Sequence, residues 1–325
     1  MRDVAQAAGV SVATVSHVVN NKPGARIGAD ARQRVRDAVE RLGYRPNALA
    51  TTLSRGSSRF IGLVSDAIAS TPFAGQIIHG AQDEAWKRGY VLLVADTDGN
   101  RAAEDDAIAI MLEYQVQGVL YSSWFHHEVQ VPAALEQTTT VLVDCYSSGS
   151  GLPSVVPDER QGGMAATRRL LEAGHRRVAF INTTTESPAQ EGRLAGYREA
   201  LVSAGIGFDE SLVFPAAPDQ GGGYDAAGQI VDSGATAVFC HNDRVAMGLY
   251  DGLREAGLSI PGDIAVMGFD NQDVISAHLR PPLSTVALPH YDLGAAAVRV
   301  LLGVTDMAEA RPLLVSCPVI ERESV

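Results

Sequence analysis

The chain has 325 residues, 46% of them hydrophobic, 6% aromatic and 20% charged, with a formal net charge of −12. No run approaches the roughly 20 apolar residues of a membrane span, and the N-terminus carries no apolar signal core, so a cytoplasmic chain is expected. The three cysteines, Cys145, Cys240 and Cys317, are far apart and without C-x-x-C spacing, which excludes a disulfide framework or a cysteine zinc site and leaves them as small core residues.

At the N-terminus, Val4, Ala5 and Ala8 cover one side of a short helix, and Val15, Val18 and Val19 form a second helical stripe. Between them Gly9 suits a tight turn and Ser11 can accept a backbone N–H where the second helix begins. This is a helix-turn-helix pattern, although small residues also pack any helix pair. With its valines inward, the second helix turns Val12, Ala13, Ser16, His17 and Asn20 outward, toward phosphates and base edges. An imidazole N–H from His17 can donate to guanine N7 or O6, whereas Val12 and Ala13 offer apolar contact to a thymine methyl. A third helix is predicted from about Asp30 to Leu42, with Val35, Val39 and Leu42 inward, several arginines outward, and Gly43 ending it. Next come Tyr44 to Leu53, read as a conditional helix, and a polar linker, Ser54 to Arg59. Residues 1–59 hold ten Lys and Arg against four acids, a net of +6, so the total of −12 leaves −18 on the remainder. Basic charge thus gathers where phosphates would be met, and the acidic body stays off DNA.

Beyond Arg59 strands and helices alternate. The strands are Phe60–Ser65, Tyr90–Ala95, Gly118–Tyr121, Thr140–Val143, Arg177–Ile181, Thr236–Cys240 and Ile264–Met267, and the helices Gln76–Arg88, Gly162–Ala173 and Ala195–Ala204. The repetition predicts parallel sheets covered by helices, in two similar lobes with a cleft at the C-terminal strand ends. Polar residues at those ends are the site candidates: Asp66, Asp144, Asn242 with Asp243, and Asp270, together with Arg193 just before a helix. Any one of them suits a helix cap, whereas several converging on one cleft suit a polyhydroxylated, sugar-like ligand. Trp124 and Phe125, after a strand, fit either ligand stacking or a packing contact. His126-His127 and Cys240-His241 are adjacent pairs, a spacing unsuited to a shared metal, and no cofactor is expected. Neither G-x-S-x-G nor G-x-x-x-x-G-K-[ST] occurs, which argues against an enzyme.

Two sets of residues carry a family resemblance. Asp3-Val4-Ala5, Ala8-Gly9-Val10-Ser11, Thr14-Val15-Ser16 and Val18-Val19-Asn20, followed by Leu42-Gly43-Tyr44-Arg45-Pro46-Asn47, Ala50 and Leu53, resemble the headpiece and hinge of the LacI/GalR family. Gly192-Arg193-Leu194-Ala195-Gly196-Tyr197, His241-Asn242-Asp243, Gly268-Phe269-Asp270-Asn271 and Pro281 to Val286 are similar to its periplasmic-binding-protein-like effector domain. The resemblance implies a ligand-responsive transcriptional regulator, expected to be a repressor, that binds a pseudo-palindromic operator as a homodimer. It implies DNA contacts from Ser11, Val12, Ala13, Thr14, Ser16, His17 and Asn20 and from the hinge at Asn47, Ala50 and Leu53, with Leu53 wedging between base steps. It also implies effector contacts from Arg193, Asn242 and Asp270, with Asp144, Asp66 and the stacking ring of Phe73 beside them. Gly28 stands where the family usually has a Ser or Thr cap. Ala216-Ala217-Pro218 lacks the large aromatic that purine- and lactose-type members project there, which argues against both effectors. The domains so implied are an all-α headpiece at 1–45, a hinge and linker at 46–59, and an α/β effector and dimerisation domain at 60–325. Its first lobe is about 60–158 with 290–317, its second about 159–289 with 318–325. No leucine-heptad tail follows Cys317, so a dimer rather than a tetramer is expected. The rival reading is a solute-binding protein or sugar-processing enzyme on the same two-lobed fold.

Overall fold

A computed structural model describes residues 1–20, 25–44, 58–68, 71, 74–307 and 312–325. Asn47, Ala50, Leu53 and Phe73 lie outside the described residues. Backbone contacts divide the chain into two compact units, Met1–Arg59 with Leu112–Gln117, and Phe60–Met111 with Gly118–Val325.

In the first unit α1 (Arg2–Ala8), α2 (Val12–Val19) and α3 (Ala29–Arg41) enclose a small core of Val4, Ala5, Ala8, Val15, Val35 and Ala38. Gly9 closes α1 at φ 60°, in the left-handed region that a Cβ disfavours. Ser11 caps α2, its hydroxyl accepting the Thr14 N–H at 3.1 Å, which satisfies one of the orphan donors of the first turn. Gly28 caps α3 with no side-chain hydrogen bond. One core expectation fails: Leu42 is 47% exposed. It lies past the last helical turn as the C-cap, and the cluster closes with Ala38, Val39 and Tyr44, whose N–H returns to the Val39 carbonyl at 3.0 Å.

The second unit holds two six-stranded sheets. Its strands are β1 (Phe60–Ser65), β2 (Val91–Asp96), β3 (Val119–Glu128), β4 (Thr140–Tyr146), β5 (Ser154–Pro157), β6 (Val178–Thr183), β7 (Val213–Ala216), β8 (Ala237–Cys240), β9 (Ala265–Asp270), β10 (Ser284–Ala287), β11 (Leu313–Val315) and β12 (Val319–Ile320). The sheets are ordered β11-β5-β4-β3-β1-β2 and β12-β10-β9-β8-β6-β7, and every pairing is parallel except β10 with β12. Each lobe therefore repeats one topology and borrows an edge strand from the chain's last segment. The helices are α4 (Gly75–Lys87), α5 (Arg101–Glu113), α6 (Ala133–Glu136), α7 (Glu159–Glu172), α8 (Pro188–Ser203), α9 (Gln220–Ser233), α10 (Asp243–Glu255), α11 (Asp273–Ser276) and α12 (His290–Leu301). The chain passes from the first sheet to the second after β5, returns after β10 and passes over again between β11 and β12.

Strands such as β4 and β6, apolar and buried on both faces, are dictated by helices on either side of the sheet. In the first lobe α4 and α12 pack together over Ile61, Leu63, Leu120 and Val141. The second lobe has α9 and α10 over Val238 and Val266 on one face, and α7 and α8 over Phe180, Phe239 and Phe269 on the other. All three cysteines are free and buried, Cys145 and Cys240 on central strands. Among the described residues no helix is long and apolar enough to cross a membrane.

Candidate functional site

On the outer side of α2, Ser11, Val12 and Ala13 are exposed, while Thr14, Ser16, His17 and Asn20 are half-buried. Thr14 and Ser11 share a hydroxyl–hydroxyl bond of 2.9 Å, and the Asn20 amide donates to the Ser16 hydroxyl at 3.3 Å. Not all of α3's arginines are surface charge. Arg32 donates to the carbonyls of Ala25 and Ile27, at 3.1 and 3.2 Å, and so holds the turn before its own helix.

Within the second unit, a cavity of about 240 Å³ opens beyond the C-terminal strand ends and draws its walls from both lobes. Asp144, Arg193, Asn242 and Asp270 all line it. A register shift in the β3–β4 pairing builds the first-lobe wall: Ser122 faces Val143 and His127 faces Cys145, so four residues of β3 stand against Asp144 alone. This irregularity projects Trp124, Phe125 and His126 into the cavity and holds Asp144 at φ 54°. The two aromatics thus belong to β3 itself, where the sequence reading had them after a strand. Asp66 does not line the cavity. Its carboxylate accepts the N–H groups of Ala67 and Trp124, at 2.7 and 3.1 Å, and the Ser123 hydroxyl at 2.6 Å, which fastens the irregular segment to the end of β1.

The second-lobe wall centres on Arg193. It sits inside α8, which begins at Pro188 with Ser187 as its cap, rather than before a helix. Proline at the first helical position and serine ahead of it are the start signals that the apolar stripe from Ala195 outweighed. Buried with it, Glu159 accepts the Arg193 Nε–H at 2.8 Å. A second nitrogen, Nη1, donates to the His241 carbonyl and stands 3.7 Å from Asp270 Oδ1, and the guanidinium lies 3.7 Å over the Phe269 ring. Three glycines make the Glu159–Arg193 contact possible, among them Gly192, where a Cβ would lie 2.7 Å from that of Glu159. A Cβ on Gly163 would meet the Arg193 carbonyl oxygen at 2.5 Å, and one on Gly196 the Arg160 carbonyl oxygen at 2.2 Å, so α7 and α8 touch backbone to backbone.

Asn242 caps α10, its Oδ1 accepting the Val245 N–H at 2.9 Å and its Nδ2 donating to the Pro218 carbonyl at 3.1 Å. It is both a cap and a wall residue. Asp243 is wholly buried and structural, accepting the Gln272 N–H and the Thr285 hydroxyl, each at 2.6 Å. Asp270 ends β9 at φ 102° and accepts the Gln272 side-chain amide at 2.9 Å.

Burial sets the charges here. It pushes the Asp144 carboxyl well above the usual range, Glu159 adding to the effect and Arg193 opposing it. Burial also raises Asp270 to about 6, against the pull of Arg193 and Gln272. It works against the Arg193 cation too, but Glu159 and Asp270 hold that guanidinium above its ordinary value. His126 is lowered mainly by burial, and His241 well below its ordinary value by burial and then by Arg193 and Arg244. The result is a ring of carboxyl, imidazole and amide groups around the compensated Arg193 cation and a second arginine, Arg244, an arrangement that can hold several hydroxyls. Sequence reasoning missed Glu159, His241 and Arg244 as wall residues and weighed His126 only as a metal ligand. The signal for Arg244 was its place directly after Asn242-Asp243; Glu159 carried none, because its approach to Arg193 depends on tertiary packing. Among the described residues no group of three or more His, Cys, Asp or Glu is disposed to hold a metal ion.

Two family models match the chain: bacterial regulatory proteins of the lacI family over residues 1–47, and a periplasmic binding protein-like domain over residues 167–325. Catabolite control protein A of Priestia megaterium is 33% identical over 303 residues, which cover 92% of this chain and 90% of that protein. The lac repressor dimer bound to operator and the anti-inducer ONPF superposes with a TM-score of 0.78 at 26% identity, over 99% of this chain and 97% of the other. A LacI family transcriptional regulator from Enterococcus faecium with bound ribose gives a TM-score of 0.62 at 27% identity, over 82% and 98%. A helix-turn-helix unit, a two-lobed parallel-sheet body and relatives of this identity over nearly the whole length agree, and the chain belongs to the lacI family of bacterial regulatory proteins.

Proposed function

We propose that this transcriptional regulator is a homodimeric, cytoplasmic repressor whose hold on a pseudo-palindromic operator is controlled by a sugar-like molecule in the interlobe cavity. Residues 1–45 are assigned as the DNA-reading headpiece, 46–59 as hinge and linker, and 60–325 as the effector and dimerisation domain. On α2 the base-reading residues are Val12, Ala13 and His17, with Ser11, Thr14, Ser16 and Asn20 serving the phosphates. Asn47, Ala50 and Leu53 are proposed as hinge contacts. Arg193, Asn242, Asp144 and Asp270 are the proposed effector contacts, and Phe73 a stacking ring; Asp66 acts by holding Trp124.

The observation that carries this reading is the convergence of Asp144, Arg193, Asn242 and Asp270 on one cavity whose walls come from both lobes. A ligand touching both walls binds one lobe arrangement more tightly than another, which is the differential affinity that control of DNA binding requires. Catalysis is no part of the proposal: the relatives are regulators, and the ligand should leave the cavity unchanged.

The test is selection of operator DNA from a random library by the full chain, then fluorescence anisotropy with and without sugars. His17→Ala should lower specific affinity by roughly 10-fold, the value of a lost base contact, while leaving nonspecific binding intact. Failure to enrich any sequence, or conversion of a bound sugar to product, would overturn the proposal.

A further inference from the structure

Five charged side chains face the cavity, and four of them are accounted for. Glu159 and Asp270 both face Arg193, so that cation is fully compensated. Asp144, 2% exposed, is pushed by burial well above the usual carboxylate range and has no hydrogen-bond partner among the described residues. Arg244 differs from these. It makes no hydrogen bond or ion pair among the described residues, and its Nε is enclosed without a partner. Asp270 feels its charge without closing on it.

An unpaired arginine cannot be relieved as Asp144 is, since a guanidinium does not give up its proton. The place of Arg244 adds to the cost. As the second residue of α10 it stands among the N-terminal N–H groups, where the helix favours negative charge and a cation is the wrong sign. The neighbouring Asp243 cannot answer it, because both its oxygens are committed to Gln272 and Thr285. A second wall group is also unsatisfied: the Nδ1 of His126 is buried with no partner. A neutral imidazole and a buried carboxyl ask for hydroxyls; the free guanidinium asks for an oxyanion. The volume of about 240 Å³ lies below the ~300–1,000 Å³ of drug-sized sites, which limits the ligand to about one sugar unit.

We propose that the cavity takes a small polyhydroxylated anion, a sugar acid of one unit, with its oxyanion on Arg244 and its hydroxyls on Asp144, His126 and Asp270. This rests on the effector-site reading above and narrows it. Titration calorimetry of the full chain with glucose, galactose, their uronates, gluconate and a hexose phosphate tests it. At least one anion should bind roughly 10- to 100-fold more tightly than its neutral parent, the range of a charge-assisted hydrogen bond. Arg244→Gln should remove that preference and Arg244→Lys keep part of it. A hexose phosphate that outbinds the carboxylates assigns the oxyanion to a phosphoryl group and supports the same role for Arg244. A neutral sugar that binds as well as its acid, or an unchanged anion affinity in Arg244→Gln, overturns the anion and leaves the effector site standing. If neither class binds, and a thermal-shift screen of metabolites finds no ligand for the wild-type chain, both readings fall.

Discussion

Asp270→Asn should stabilise the ligand-free protein at neutral pH. The wild-type carboxyl is buried at the end of β9 with a folded-state pKa of about 6, against an ordinary value of 3.8. A folded value raised above the unfolded one means that the native state binds the proton more tightly, so the charged form costs stability. Below about pH 4 both states are protonated and the cost is absent. It grows as pH rises through the interval from about 4 to about 6, and above that it is complete. Two units at 1.36 kcal/mol each set it at no more than about 3 kcal/mol. Asparagine is a near isostere, tolerates positive φ better than most residues, and its amide oxygen can still accept from Gln272. Urea unfolding followed by the fluorescence of Trp86 and Trp124 should therefore give a mutant that matches wild type near pH 4 and exceeds it by up to about 3 kcal/mol near pH 7. Asp144 and Asp243 are shifted in the same direction, so the difference between the two proteins, rather than either curve alone, is the diagnostic quantity. A mutant less stable than wild type at pH 7 would refute the reasoning and show that Asp270 is worth more to Arg193 as a charge than burial takes away.

Gly196→Ala sets two effects against each other. Helix propensity favours alanine by about 1 kcal/mol, but the added carbon would lie 2.2 Å from the Arg160 carbonyl oxygen and 2.4 Å from the Met164 nitrogen, both backbone atoms that cannot yield alone. Overpacking of about 1–3 kcal/mol should win, separating α7 from α8 and lowering ligand affinity by displacing Arg193 from Glu159; a variant with raised stability and unaltered calorimetry would contradict it. Gly28→Ser should stabilise α3 by a few tenths to about 1 kcal/mol, because φ −61° and ψ 152° suit any residue and nothing lies within 4 Å of the new carbon. Slower amide hydrogen exchange in α3 is the expected readout, and faster exchange would show the cap to be unused.

Legibility followed the range of the interactions. In α2, an apolar stripe and a capping serine are local properties, so Val15 and Ser11 stood out in the sequence. Seven strands were equally plain, because burial on both faces writes an uninterrupted apolar run, as in Val141 to Val143, while β5, β7, β10, β11 and β12, two to four residues long, did not stand out. Leu42 shows the limit: its spacing continued the stripe of α3, yet the core ended a turn earlier. The same limit governs the cavity. Asp144, Asn242 and Asp270 were visible as polar endings of apolar strands, while the β3 irregularity that presents His126 arises from pairing with β4 and leaves no periodic trace. Glu159 and Arg193 are 34 residues apart and meet because Gly163, Gly192 and Gly196 let their helices touch. Asp66 looked like its fellow strand-end carboxylates, and only the hydrogen bonds to Ser123 and Trp124 distinguish an anchor from a wall residue.

The cavity gathers several features that cost a fold stability. Asp144 and Asp270 hold positive φ angles, worth of order 1–3 kcal/mol each as strain, and both carboxyls are buried against their ordinary ionisation. Arg244 lacks a counter-ion and His126 a hydrogen-bond partner among the described residues. These deficits lie on two separate sheets, Asp144 and His126 on the first, Asp270 and Arg244 at strand ends of the second. Neither lobe can correct its own deficits by local repacking, since β3, β4, β8 and β9 are fixed by closely packed cores. A ligand that supplies hydroxyls to one wall and charge to the other relieves both only when the lobes stand at the distance that suits it. Its binding energy then becomes a preference for one lobe arrangement. On the proposed effector reading, the strain and unpaired groups of the cavity walls are the source of the coupling, and variants such as Asp270→Asn that remove part of them should also weaken the response to ligand.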